Sequence, residues 1–133
     1  MTTGPDPEEQ CGQLFERVGV VRAVQLAEDW TWTTRRGSTL RASAGDWRIL
    51  DGTVSWSVKD ELFPAAYEHV RGDNYKRVGL VRARQASSEE TIRTLEGHAT
   101  ALPGDWVVTG ALGEKWPVSD QDFQARYRLH GAP

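Results

Sequence analysis

The sequence predicts an α+β, β-rich fold made of two repeats, each a β-β-β-β-β-α unit, packed about a pseudo-two-fold axis into one domain. Three observations carry this prediction. Short segments rich in Val, Thr and Trp alternate with Gly, Asp and Pro turns, as in proteins built from many short strands. The segment 17–25 recurs at 77–85, sixty positions later, with most of its residues identical. Gly-Asp-Trp at 45–47 is repeated at 104–106.

The length of 133 residues is enough for one ordinary domain. The opening stretch is polar and contains prolines, glycine and acids with almost nothing to bury, so we expect it to be a disordered arm. The predicted organisation is therefore an arm at 1–14, a degenerate first repeat at 15–70, a linker at 71–76 and a second repeat at 77–130.

The recurring segment is rich in Val and is predicted to be one strand in each repeat. Side chains alternate across a strand, and Arg82 and Arg84 mark one face as the wetter. The other face should point inward in both repeats, and it carries Val21, Ala23 and Gln25 in the first and Val81, Ala83 and Gln85 in the second.

A hairpin is expected next in each repeat. The first has strands at 30–34 and 39–42 around a turn with Gly37, which is free to adopt positive φ. The second has strands at 91–95 and 98–102 around Gly97, again sixty positions later.

The two Gly-Asp-Trp motifs then form turns that lead into another pair of strands. An Asp in such a turn accepts hydrogen bonds from nearby backbone N–H groups. We therefore assign Asp46 and Asp105 a structural role, although two matched carboxylates also leave acid–base chemistry open.

A short helix is predicted to end each repeat. Phe63 and Tyr67, like Phe123 and Tyr127, are four residues apart and would share one helical face. We expect one core shared by both repeats and dominated by large aromatic side chains, namely Trp47, Trp56, Trp106 and Trp116.

The second repeat also carries a recognisable string of motifs. The first motif of the string, Val-Val-x-Ala-x-Gln, is present there only in part. It is followed in order by Thr-Leu-Glu-Gly, Pro-Gly-Asp-Trp, Gly-Glu-x-Trp-Pro-Val and Phe-x-x-x-Tyr. This string resembles a small phage and prophage family called PGDYG after its turn motif. The resemblance is clear over about residues 75–130 and weak over 15–70. It implies common ancestry and a compact β-rich fold, and it transfers no catalytic residue.

Composition excludes several classes of function. The net charge of −3 disfavours nucleic-acid binding, which depends on a basic surface. No apolar run approaches a membrane span, so a cytoplasmic protein without a membrane partner is expected. One cysteine and three scattered histidines predict neither a disulfide nor a metal site, and no cofactor motif is present.

Two groups of residues are candidates for ligand binding. The inward amides of Gln25 and Gln85 could either cap a neighbouring strand or reach a bound small molecule. The hairpin residues Trp30, Trp32, Arg35 and Arg36 could hold a protein partner, stack on single-stranded nucleic acid, or simply be exposed to solvent.

The sequence therefore predicts a non-catalytic binding or interaction module of phage-like descent, monomeric or homodimeric. It would use the cleft between the repeats or the 30–36 hairpin to hold a protein partner or a small molecule. The alternative is a small enzyme or sequestering protein that acts on an apolar small molecule in the same cavity. A deep pocket containing Gln25 or Gln85, with a titratable partner, would favour the alternative, and a filled core with exposed Trp30 and Trp32 would favour the interaction module.

Overall fold

A computed structural model describes residues 12–131. Most of the predicted arm at 1–14 lies outside these residues, but residues 13 and 14 belong to the first strand and not to an arm. The fold is β-rich, as predicted. The strands are β1 Gln13–Arg17, β2 Val20–Gln25, β3 Trp30–Thr33, β4 Thr39–Ala42, β5 Trp47–Asp51, β6 Val54–Val58, β7 Tyr67–Arg71, β8 Asn74–Arg77, β9 Leu80–Gln85, β10 Glu90–Thr94, β11 Gly97–Ala101, β12 Trp106–Thr109, β13 Lys115–Val118 and β14 Tyr127–Leu129. The helices of this part of the chain are α1 Phe63–Ala66, after β6, and α2 Asp120–Arg126, after β13.

The described strands form two five-stranded sheets and two separate hairpins. The first sheet has the order β6-β5-β2-β8-β7, and the second has the order β13-β12-β9-β1-β14. The first hairpin pairs β3 with β4, and the second hairpin pairs β10 with β11. Every pairing is antiparallel, which allows the short turns that the sequence contains.

The chain passes from one sheet to the other within the segments predicted to be single strands. β1 pairs with β9 and β14 in the second sheet, whereas β2 lies in the first sheet after a gap of two residues. β8 and β9 make the opposite passage. Gly19 has φ of 97° and Gly79 has φ of 89°, a left-handed conformation that favours glycine at both breaks. Each of the predicted strands at 17–25 and 77–85 therefore contains the last residue of one strand, a two-residue break and the whole of the next strand.

These two passages, which we call the crossings (residues 17–20 and 77–80), lie side by side. Arg17 N donates to Gly79 O at 3.0 Å, and Arg77 N donates to Gly19 O at 2.8 Å. The reciprocal bonds satisfy backbone groups at the point where each chain segment leaves its sheet.

The predicted linker and helix ends also need correction. Residues 71–76 are not a linker, because they form the tip of the β7–β8 hairpin and much of β8. Tyr67 and Tyr127 do not lie in the helices, because each begins the strand that follows. Their rings nevertheless stack on Phe63 and Phe123, at 4.9 and 4.8 Å between centroids.

Each sheet has its own apolar cluster, so the prediction of one shared core was wrong. The predicted inward faces are confirmed for Val21, Ala23, Val81 and Ala83, which are buried, but not for Gln25 and Gln85, which are exposed. The four tryptophans predicted to dominate the core are only partly buried and pack against the cluster edges. The helix phenylalanines are the buried aromatic centres, because each stacks on a tryptophan at about 4 Å, Phe63 on Trp47 and Phe123 on Trp106.

Candidate functional site

A cleft of about 840 Å³ lies between the two sheets. The outer strands β6 and β13 both line it along their whole length, and the tips of both hairpins also contribute. Its volume falls within the range of ordinary small-molecule sites. The larger apolar side chains of its lining are Trp32, Trp56, Trp116, Leu40, Leu62, Leu80, Leu95 and Leu112.

One wall of the cleft contains a half-buried carboxyl group, that of Glu96. Ser57 Oγ donates to Glu96 Oε2, and Trp32 Nε1 donates to Ser57 Oγ at 2.8 Å. Burial raises the pKa of Glu96 to about 7, although the Ser57 hydrogen bond and Lys59 oppose the rise. Glu96 is therefore a group that can take up or release a proton near neutral pH inside the cleft.

The predicted hairpin cations are not free to hold a partner. Arg35 donates from Nε and Nη2 to Asp122, at 2.8 and 3.0 Å. Arg36 makes a similar forked contact with Asp105, at 2.9 and 2.6 Å. Such two-bond pairs fix geometry as well as charge. These two ion pairs therefore fix the tip of the first hairpin to α2 and to the turn before β12.

The two candidate tryptophans of this hairpin have different environments. Their rings stack on one face, with centroids 5.8 Å apart. Trp30 lies outside the cleft, where the Arg48 guanidinium sits 4.5 Å from its ring centroid. Trp32 lines the cleft and reaches Ser57. Both are half-buried, so they do not form the exposed aromatic patch that would favour an interaction module.

The candidate glutamines are exposed, which corrects the prediction that they point inward. Gln25 Nε2 donates to Gly45 O at 2.9 Å, and Gln85 Nε2 donates to Gly104 O at 3.1 Å. Each amide thus binds the neighbouring Gly-Asp turn. Neither residue lines the cleft.

The two turn aspartates are buried and bound by backbone N–H groups. Asp46 accepts from Ser43 N, and Asp105 accepts from Leu102 N, both at 2.9 Å. Burial alone would raise the pKa of Asp105, but Arg36 and the Leu102 N–H group lower it overall. Lys59 is the corresponding cation for Asp46, at 2.9 Å.

No family model, curated protein or solved structure matches this chain. In residues 12–131, no group of three or more His, Cys, Asp or Glu side chains is placed to hold a metal ion. None of the helices in these residues is long and apolar enough to cross a membrane.

Sequence reasoning missed Glu96 and two of the cleft arginines, Arg17 and Arg77. Glu96 corresponds to Arg36 at the sixty-residue spacing, so the change of sign between the hairpin tips was visible. The role of Arg17 and Arg77 was not visible, because both seemed to lie within continuous strands. They line the cleft only because the chain changes sheets immediately after each of them.

Proposed function

We propose that this protein is a non-catalytic binding module that holds a small molecule with an apolar body in the cleft between its two sheets. The observation that carries the proposal is the cleft itself, about 840 Å³ in volume and lined by three tryptophans and five leucines. Apolar walls with a few polar groups are the usual form of a small-molecule site. A small molecule is favoured over a protein partner because Arg35 and Arg36 are occupied by aspartates of the same chain.

We also propose that the two halves are divergent copies of one unit with PGDYG-like ancestry, related by a pseudo-two-fold axis. Matched contacts support this origin. Trp47 Nε1 donates to Asp60 and Trp106 Nε1 donates to Asp120, both at 2.9 Å. The two glutamine-to-turn bonds form a second matched pair. On this proposal the cleft is the space between copies.

The neutral fluorescent dye N-phenyl-1-naphthylamine tests cleft binding. We expect saturable binding with one site per chain, detected as an increase in dye fluorescence. Leu95→Ala removes an exposed leucine of the cleft and should weaken binding roughly three- to tenfold, since it removes part of an apolar contact surface.

Leu129→Ala is the matched control, because Leu129 is also an exposed leucine but lies outside the cleft. It should leave the dye affinity unchanged. Absence of saturable binding, or equal weakening by both substitutions, would contradict the proposal.

The second candidate is a small enzyme that uses the same cleft, and Glu96 is the observation that favours it. A carboxyl with a pKa of about 7 beside a serine hydroxyl is suited to proton transfer. A panel of naphthyl esters tests this candidate. Hydrolysis that Glu96→Gln abolishes, with dye affinity retained, would replace the non-catalytic proposal.

A further inference from the structure

The arginines that line the cleft fall into two groups. Three are paired with aspartates: Arg35 with Asp122, Arg36 with Asp105 and Arg126 with Asp51. The other two, Arg17 and Arg77, have no carboxylate within 4.0 Å among the described residues. Both arginines belong to the crossings, so they lie close to each other where the chain passes between the two sheets.

Arg77 is a buried cation that has no carboxylate partner among the described residues. It is 3% exposed, and its Nη1 donates to Arg126 O at 2.7 Å. Its guanidinium lies 4.7 Å from the ring centroid of Tyr127. Burial raises the pKa of nearby Tyr67, so that hydroxyl is neutral at physiological pH. Within residues 12–131, Arg77 Nε has no hydrogen-bond partner. A buried charge without a counter-ion is costly.

Arg17 stands beside it and is half-buried. Its Nη1 donates to Val78 O at 3.3 Å, a long contact that uses one of five guanidinium N–H groups. Its guanidinium carbon lies 5.9 Å from the ring centroid of Trp116, which is a wall of the cleft. Arg17 therefore retains hydrogen-bonding capacity next to an apolar surface.

Among the described residues, five carboxylates line the cleft, and four of them are occupied elsewhere; the fifth, Glu61, is exposed and forms no ion pair with Arg17 or Arg77. Asp105 and Asp122 bind the first hairpin's arginines, and Glu96 binds Ser57. Glu114 accepts from Leu112 N in its own turn. The positive charge of Arg17 and Arg77 is therefore left for a group that enters from solution.

We propose that the cleft binds an amphipathic organic anion, with its oxyanion on Arg17, supported from behind by Arg77, and its apolar body against Trp56 and Trp116. This inference rests on the proposed function and specifies its ligand class. A planar guanidinium suits a carboxylate or a phosphate, and charge-assisted hydrogen bonds are strong where apolar walls exclude water. Carboxylate and phosphate ligands of this class share an oxyanion attached to an apolar body about the size of an aromatic ring.

Three probes with one apolar body test the charge preference by titration calorimetry: 1-naphthaleneacetate, the neutral 1-naphthaleneacetamide and 1-naphthyl phosphate. At low salt, the acetate or the phosphate should bind on the order of tenfold more tightly than the amide, as a charge-assisted contact implies. The stronger of the two anions identifies the oxyanion. Arg17→Gln should abolish this preference and leave amide affinity unchanged, and Arg17→Lys should retain part of it.

Arg22→Gln is the matched control, since it removes the same charge from an exposed position outside the cleft. It should preserve the preference. Equal affinities for all three probes, or equal effects of Arg17→Gln and Arg22→Gln, would overturn the inference alone. Failure of every probe to bind, together with failure of N-phenyl-1-naphthylamine, would overturn the proposed function as well.

Discussion

At the scale of residues, Glu96 shows how a change in the sign of one side-chain charge alters a contact. The first hairpin places Arg36 against Asp105, which gives a forked ion pair. The second hairpin has Glu96 at the corresponding position, and Asp46 is one of the charges near it. Lys59 and Ser57 partly compensate for the missing arginine. The Glu96 carboxyl is left half-buried with a raised pKa, which makes the contact sensitive to pH.

The stability of the protein should fall as the pH rises from about 4.5 to about 7 because of Glu96. Its folded-state pKa of about 7 lies above the ordinary value of 4.5, so the folded state holds the proton more tightly. The stabilisation that the protonated carboxyl of Glu96 gives to the folded state is complete below the unfolded-state pKa. It is lost as the pH rises through the folded-state pKa, which lowers the free energy of unfolding by an amount on the order of 3 kcal/mol. Glu96→Gln should remove this dependence and raise stability at pH 8, as measured by urea unfolding.

Glu90→Gln provides the control from the same hairpin. The Arg84 guanidinium lowers the pKa of Glu90, the opposite direction. Its replacement should give no gain in stability at pH 8. If the stability of Glu96→Gln and that of the wild-type protein changed in parallel with pH, the Glu96 carboxyl would not be the sensitive group.

At the scale of elements, the crossings depend on two glycines with positive φ. Gly19 and Gly79 allow the chain to leave one sheet after β1 and β8 and to enter the other sheet as β2 and β9. The space around the two glycines differs. A side chain at Gly19 would meet nothing within 4 Å, whereas a Cβ at Gly79 would lie 3.0 Å from Ala65 O. Backbone strain is shared by both sites, and crowding is added only at the second.

Gly19→Ala should therefore lower the free energy of unfolding by about 1–2 kcal/mol, the cost of placing a Cβ in the left-handed region. Gly79→Ala should cost more, because Ala65 O must also move. Val20→Ala, at a neighbouring exposed position, should change stability by less than about 0.5 kcal/mol. Denaturant titration of the three variants measures the order, and an equal loss for both glycines would refute the crowding argument.

At the scale of the whole molecule, β1 and β14 are paired as β8 and β7 are, but without a short loop between them. Phe15 lies opposite Leu129, and His130 N donates to Leu14 O at 3.0 Å. The β7–β8 connection is a tight exposed turn at Gly72 and Asp73. The order in which the strands are connected along the chain can therefore be changed without changing which strands pair.

A circular permutant that joins the ends of the chain by a flexible linker and opens it between Gly72 and Asp73 should fold. Breaks in exposed turns are tolerated, and no described sheet pairing is removed. Near-UV circular dichroism should match that of the parent chain. A permutant opened between Arg82 and Ala83, inside a central strand, should fail to fold, and equal behaviour of both would contradict this pairing argument.

Local patterns predicted local structure well. Alternation along 20–25 identified Val21 and Ala23 as buried, and arginines marked the wetter face. Pattern alone could not show that Gly19 ends one strand and sends the next into another sheet, because a strand's partner is set by the whole chain. For the same reason Gln25 was placed inward, although a neighbouring turn carbonyl draws its amide to the surface. Arg17 was missed as a cleft residue because its position depends on the crossing.

The paired crossings also limit how the two halves can move. A single connection would let the halves twist and slide, but two connections bonded side by side act as a hinge. Rotation about this hinge would break the contacts that join the two halves beside the cleft, among them the ion pairs of Arg36 with Asp105, Arg35 with Asp122 and Arg126 with Asp51, and the hydrogen bond from Ser57 to Glu96. Of these four contacts, the one at Glu96 contains a carboxyl whose pKa is raised to about 7. Alkaline conditions, which charge this carboxyl inside the cleft, would therefore favour opening of the cleft and exchange of its contents.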